Sequence, residues 1–103
     1  MSLISDDDAR HRLEQLPGWQ FAAGAIVKEF TFDGFPDAVA FVSGLVAPAE
    51  AADHHPDLEI HYRRVRVTYS THSAGGLTAL DFAGAADAEA VARGLTAGAS
   101  ASE

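Results

Sequence analysis

The sequence predicts a single α+β domain, a four-stranded antiparallel sheet with helices packed on one face. Three observations predict it. Two pairs of segments alternate apolar and polar side chains, the period of a half-buried strand. Three further segments space their apolar residues at helical intervals. Between these stand the breakers Pro17-Gly18, Asp33-Gly34 and Gly75-Gly76, which close one element before the next opens. The resulting order is α-β-β-α-β-β-α. No internal repeat or linker divides the chain, so residues 1–103 read as one domain, with 1–5 and 97–103 expected to fray.

Asp6 to Leu16 reads as the first helix, with acids in its opening turn, where the helix dipole favours them. Pro17-Gly18 stop it. Trp19 to Phe21 and Ile26 to Phe32 follow as two strands, joined by a tight hairpin through Ala22 to Ala25. In the second strand Ile26, Lys28, Phe30 and Phe32 share one face. Pro36 suits the first turn of a helix, where its missing N–H costs little. From there to Ala52, Val39, Phe41, Val42, Leu45, Val46 and Ala49 recur at helical spacing. Pro48 lies inside that span, and a mid-helix proline costs ~3 kcal/mol by losing one backbone bond and crowding the carbonyl four residues earlier. That earlier residue is Gly44, so one kinked helix is expected rather than two elements.

Leu58, Ile60 and Tyr62 alternate with Glu59, His61 and Arg63, and Val65, Val67 and Tyr69 with Arg64, Arg66 and Thr68, giving an antiparallel pair. By parity His72 falls on the polar face. Thr78 reads as the N-cap of the last helix, with Asp81 three residues later in capping-box position. Phe82, Ala86, Val91 and Leu95 mark that helix's apolar side.

With 103 residues, 48% of them hydrophobic, the chain can bury one core. It has no cysteine, so neither disulfides nor thiolate chemistry enter, which fits a cytoplasmic protein. Seven basic against fifteen acidic residues give a formal charge of −8, which opposes direct nucleic-acid binding and anionic membranes. No apolar run approaches the ~20 residues needed to span a bilayer. Arg63, Arg64 and Arg66 cluster, and read as solvated positions on a strand's outer face.

The chemistry concentrates in His54-His55-Pro56, with Glu50 and Asp53 before it and His72 and Asp81 after it. Imidazole has the side-chain pKa nearest neutrality, so several in one cleft supply both acid and base at pH 7. Pro56 restricts His55 toward extended geometry. Glu50, Asp53 or Asp81 could set an imidazole's tautomer and raise its pKa. Plainer readings stand beside these: the histidine pair suits a helix C-terminus, and Asp81 suits a cap. Three histidines and a carboxylate can also hold zinc or iron, but helical ligands are usually three or four residues apart, whereas this pair is contiguous. His11 and His61 read as surface residues. Neither a Gly-x-Ser-x-Gly turn nor a Gly-x-Gly-x-x-Gly loop is present.

The array Glu50-x3-His54-His55-Pro56-x5-Tyr62-x9-His72-x8-Asp81 resembles the signature of pterin-4a-carbinolamine dehydratases, whose vertebrate members are also dimerisation cofactors of a homeodomain transcription factor. Leu16-Pro17-Gly18-Trp19, Lys28-Glu29-Phe30-Thr31-Phe32 and Ala74-Gly75-Gly76-Leu77-Thr78 resemble further family segments. The resemblance implies dehydration of 4a-hydroxytetrahydropterin to quinonoid dihydropterin, without metal or organic cofactor, in recycling for an aromatic amino-acid hydroxylase. It implies homodimers or homotetramers joined edge to edge through their sheets. It makes His54, His55 and His72 the catalytic imidazoles, with His55 the principal base and His54 or His72 the acid. Glu50, Asp53 and Asp81 would support them, and Pro56, Thr71, Ser73 and Ala74 would line the pterin pocket. Ser73 stands where the family usually has an acid, Ala79 where it often has glutamate. The alternative is a non-catalytic scaffold of the same fold that binds a partner protein as a regulator or assembly factor.

Overall fold

A computed structural model describes residues 2–101, with side chains through Leu95. Helix α1 spans Asp6–Leu13, strands β1 and β2 Gln20–Ala22 and Ala25–Thr31, helix α2 Phe35–Ala52, strands β3 and β4 Asp57–His61 and Arg64–Tyr69, and helix α3 Ala79–Ala101. A 3₁₀ turn, His72–Ala74, precedes α3. The four strands form one antiparallel sheet in the order β1-β2-β4-β3. The α+β architecture and its element order are those the periodicities predicted. Among the described residues no helix is long and apolar enough to cross a membrane.

The inner face of the sheet follows from the register. Phe30 pairs with Val65, Lys28 with Val67 and Ile26 with Tyr69, and of these only Lys28 is not buried. Its ammonium is instead held 2.6 Å from Glu89 on α3 and 3.1 Å from the Pro17 carbonyl, while the Trp19 indole N–H donates to the same Glu89 oxygen at 2.9 Å. A lysine on an apolar face is thus explained by a carboxylate from the helix above it. The outer face carries Glu29, Arg66 and Glu59 in register across three strands, with Arg66 3.9 Å from Glu59 and Arg64 3.7 Å from Glu29. Arg64 and Arg66 are solvated positions on that face, as read, and join exposed cross-strand ion pairs, whereas Arg63 lies in the β3–β4 turn and reaches the Phe32 carbonyl at 3.4 Å.

The β1–β2 hairpin turns at Ala23-Gly24, both with positive φ, as the favoured two-residue hairpin turn requires. Helix α1 stops at Leu13 rather than Leu16, because the N–H groups of Gln15 and Leu16 bond three residues back, to Arg12 and Leu13, and tighten the chain. Ser5 caps α1, and the Ile4 N–H donates to the Leu77 carbonyl at 2.8 Å. The α3 backbone is helical through Ala101.

Helix α2 is one element through Pro48. It buries Ala38, Phe41, Leu45 and Ala49 against the sheet and α3, but leaves Phe35, Val39 and Val46 exposed. The helical spacing of apolar residues therefore comprised two stripes, and only one faces the core. Gly44 serves packing as well as the proline, since a Cβ there would lie 2.6 Å from a Val91 methyl. On α3 the core residues are Phe82, Ala85 and Ala88; Ala86, read as apolar-face, points to solvent.

Candidate functional site

The C-terminus of α2 delivers the histidine pair. Asp53 adopts φ +49, the His54 N–H donates to the Ala49 carbonyl and the Asp53 N–H to that of Glu50. These two bonds and the left-handed residue make a Schellman ending, which turns the chain back across the helix. Asp53 was expected to support an imidazole with its carboxylate. It does so with its backbone instead: it is the residue that reverses the chain, and among the described residues its carboxylate makes no hydrogen bond or ion pair to a histidine. Pro56 follows, half-buried, and β3 begins at Asp57.

The start of α3 supplies the other half. Thr78 and Asp81 form the predicted capping box: the Leu80 N–H donates to Thr78 Oγ1 at 3.3 Å, and the Thr78 N–H to Asp81 Oδ2 at 2.9 Å. Asp81 is fully buried, and its second oxygen, Oδ1, lies 2.6 Å from His54 Nε2. One carboxylate is therefore both helix cap and histidine partner. Thr71 Oγ1 donates to Asp81 Oδ2 at 2.8 Å and lies 2.8 Å from Thr78 Oγ1. Thr71, expected to line a substrate pocket, is a buried member of this network and also borders the depression at His72.

The His54 side chain is 10% exposed and stacks on the Tyr69 ring, 20° from parallel with centroids 6.2 Å apart. Burial, with the Asp87 and Asp81 carboxylates adding to it, pushes the Tyr69 phenol up to about 12. Helix α3 reaches this ring because residue 84 is glycine; a Cβ there would sit 2.5 Å from it. Sequence reading overlooked Tyr69 as a site residue, although the alternation Val65, Val67, Tyr69 places it on the inner face beside the incoming histidine. His54 lines a cleft of about 20 Å³, room for one water, with Tyr69 and Asp87 among its walls.

His55 is arranged differently. Its Nε2 lies 2.6 Å from Glu50 Oε2, both side chains largely exposed. Glu50, about one helical turn before the pair, is one of the three carboxylates named as possible imidazole supports. His72 is not on a strand. The Thr71 and Gly76 backbones bridge, Gly75 takes φ +78, and the closed loop carries His72 and Ser73 in an exposed 3₁₀ turn. His72 lines a separate depression of about 300 Å³ with Ser70, Thr71 and the β1–β2 turn. Among the described residues it joins the His54 network only through its neighbour Thr71. Tyr62 is also displaced from its predicted place on a strand: it takes φ +57 at the tip of the β3–β4 hairpin, 69% exposed. About five extended residues, some 16 Å of strand, separate it from Pro56. Among the described residues no group of three or more His, Asp or Glu side chains gathers as a metal site.

Imidazole–carboxylate pairs, one buried and one wet, are equipped to hold and move protons. Comparison with known proteins points the same way. Residues 2–91 match the Pterin 4 alpha carbinolamine dehydratase family. A protein of Picosynechococcus sp. is 48% identical over 77% of this chain and 86% of its own length, and one of Chloroflexus aurantiacus is 46% identical over 84% and 92%; both are named, provisionally, as pterin-4-alpha-carbinolamine dehydratases. Among solved structures, a transcriptional coactivator/pterin dehydratase from Brucella melitensis superposes with a TM-score of 0.85 at 35% identity, covering 88% of this chain and 99% of that one. A pterin dehydratase-like protein identified as a RuBisCO assembly factor in the alpha-carboxysome superposes with a TM-score of 0.60 at 25% identity, over 72% and 86%.

Proposed function

The chain belongs to the pterin-4-alpha-carbinolamine dehydratase family, and from that premise we propose that it dehydrates 4a-hydroxytetrahydropterin in the recycling of a tetrahydropterin used by an aromatic amino-acid hydroxylase. The C4a–O bond breaks, a ring N–H gives up its proton, a C=N bond forms, and water leaves with the quinonoid dihydropterin. The step needs an acid at the hydroxyl and a base at the N–H, and no metal or organic cofactor. His55, wet and paired with Glu50, is the base in this reading; His54, held by Asp81, is the acid, and His72 assists from the loop beyond Thr71. In the same reading Pro56, Thr71, Ser73 and Ala74 contact the pterin. The observation that carries the reading is the 2.6 Å contact between His54 and a fully buried Asp81, a carboxylate kept from solvent and aimed at an imidazole, in a chain of this family.

A cytoplasmic homodimer or homotetramer fits the same reading. The free edge of β3 and the exposed Phe35, Val39 and Val46 of α2 are surfaces that such an assembly would cover. The test is stopped-flow absorbance on freshly generated 4a-hydroxytetrahydropterin. Wild-type protein should accelerate dehydration, His55→Ala should lose most of that rate, and chelators should change nothing; a wild-type rate equal to background ends the proposal. The second reading is a non-catalytic scaffold, favoured by the coactivator and assembly-factor roles of the two structural neighbours. It is preferred if substituting His54, His55 and His72 together leaves the biological phenotype intact.

A further inference from the structure

The hydrogen bonds around Asp81 can be counted donor by donor, and the count fixes where every proton lies. Asp81 Oδ2 receives the Thr78 N–H at 2.9 Å and the Thr71 hydroxyl at 2.8 Å. A hydroxyl has a single proton, so Thr71 has none left to give. The 2.8 Å contact between Thr71 and Thr78 hydroxyls therefore uses the Thr78 proton, with Thr71 accepting. Thr78 in turn accepts from the Leu80 N–H. With Oδ2 occupied by two donors, only Oδ1 faces His54 Nε2, at 2.6 Å. An ionised carboxylate can only accept, so the proton between them sits on Nε2. Nδ1 has no partner among the described residues, where no fully buried side-chain nitrogen or oxygen is unpartnered, so Nδ1 keeps contact with solvent. Asp87 shares the His54 cleft, but among the described residues the ring's hydrogen-bond partner is Asp81.

We infer that Thr78, Thr71 and Asp81 form a hydroxyl relay that locks neutral His54 as its Nε2–H tautomer, so that Nδ1 is the nitrogen that exchanges protons. Thr71 and Thr78 are positioning residues, acting on His54 through Asp81. Thr71 is the decisive one, because it is held by the Thr71–Gly76 loop rather than by α3. It ties the carboxylate to a second element and prevents rotation about the cap. The proton exchange with substrate rests on the dehydratase reading; the tautomer is a property of the free protein.

Histidine-selective ¹⁵N labelling separates the two. Long-range ¹H–¹⁵N spectra across a pH series, with His54 assigned by His54→Gln, should show a pyrrole-type Nε2 and a pyridine-type Nδ1 in neutral His54. An Nδ1–H pattern in the wild type overturns the relay. Thr71→Val should mix the two tautomers and lower kcat about tenfold or more at unchanged KM, while Thr71→Ser keeps both within about twofold. A pure Nε2–H pattern in Thr71→Val removes Thr71 from the relay. The wild-type spectrum decides the tautomer even if Thr71→Val fails to fold. The Nε2–H tautomer in a protein without dehydratase activity would uphold the relay and reject the catalytic reading.

Discussion

His54 and His55 are adjacent residues, and each meets a carboxylate at the same 2.6 Å, yet the two pairs belong to different physical regimes. His54 and Asp81 are 10% and 0% exposed, and the carboxylate has two further donors; His55 and Glu50 are 54% and 69% exposed and, among the described residues, have only each other. Distance alone would score them as equal. Desolvation separates them, because a buried carboxylate stripped of its partner has no water to replace it, whereas an exposed one does. The Schellman ending of α2 creates the difference: the reversal at Asp53 sends one imidazole inward to α3, while the next stays beside the helix it came from. Such a division suits a proton-handling site, in which one group is held rigid and its neighbour is free to exchange with water.

Stability is where the contrast should be widest. Asp81→Ala removes the partner of a buried imidazole, the acceptor of two buried donors and a helix cap, and is expected to destabilise by about 3–5 kcal/mol. Glu50→Ala should change stability by less than about 1 kcal/mol. Urea unfolding of both variants at pH 7 measures it, and similar losses in the two would erase the distinction.

That contrast also shows which parts of the site could be read in advance. The Thr78–Asp81 capping box was legible because it is local, a three-residue spacing with one known geometry. Glu50 was legible as a candidate because it is local, though its pairing with His55 was left open among three carboxylates. The second oxygen of Asp81 was not legible as the His54 partner, since 27 residues separate them and only the packing of α2 on α3 brings them together. The bond from Thr71 to Asp81 was not legible either, because nothing in strand alternation reveals a hydrogen bond to the next helix. His72 and Tyr62 were misplaced by extending a period of two past the strand ends, where backbone bridging and a positive φ take over. Val39 and Val46 show the converse limit: helical periodicity marks apolar residues but does not say which stripe the core will take.

Tyr69 sharpens the comparison from the buried side, because its ring covers His54 and not His55. With the phenol pushed up to about 12, chiefly by burial, the native state keeps a proton that the unfolded chain, near 10, has already released. The native state then binds more protons, so stability falls as pH rises. The contribution is complete below pH 10 and is lost between about 10 and about 12, on the order of 2–3 kcal/mol. Urea unfolding at intervals from pH 9 to 12 should show this slope in the wild type and a flatter one in Tyr69→Phe. A phenol that titrates near 10 would mean that water reaches the ring, and the His54 pair would then resemble its neighbour.

The smallest effect tests the exposed pair itself. A double-mutant cycle of Glu50→Gln and His55→Gln, run at a pH where His55 is charged, should give a coupling of about 0.2–1 kcal/mol in low salt. At 1 M salt the Debye length shrinks to about 3 Å, and that coupling should fall toward zero. Long side chains at high exposure gain little from one another once counter-ions compete for them. Coupling that persists undiminished at 1 M salt would require something to exclude ions and water from the pair, and nothing among the described residues covers it. The covering surface would then have to come from a second molecule, so the same cycle, repeated across protein concentrations, would report whether assembly turns the wet pair into a dry one.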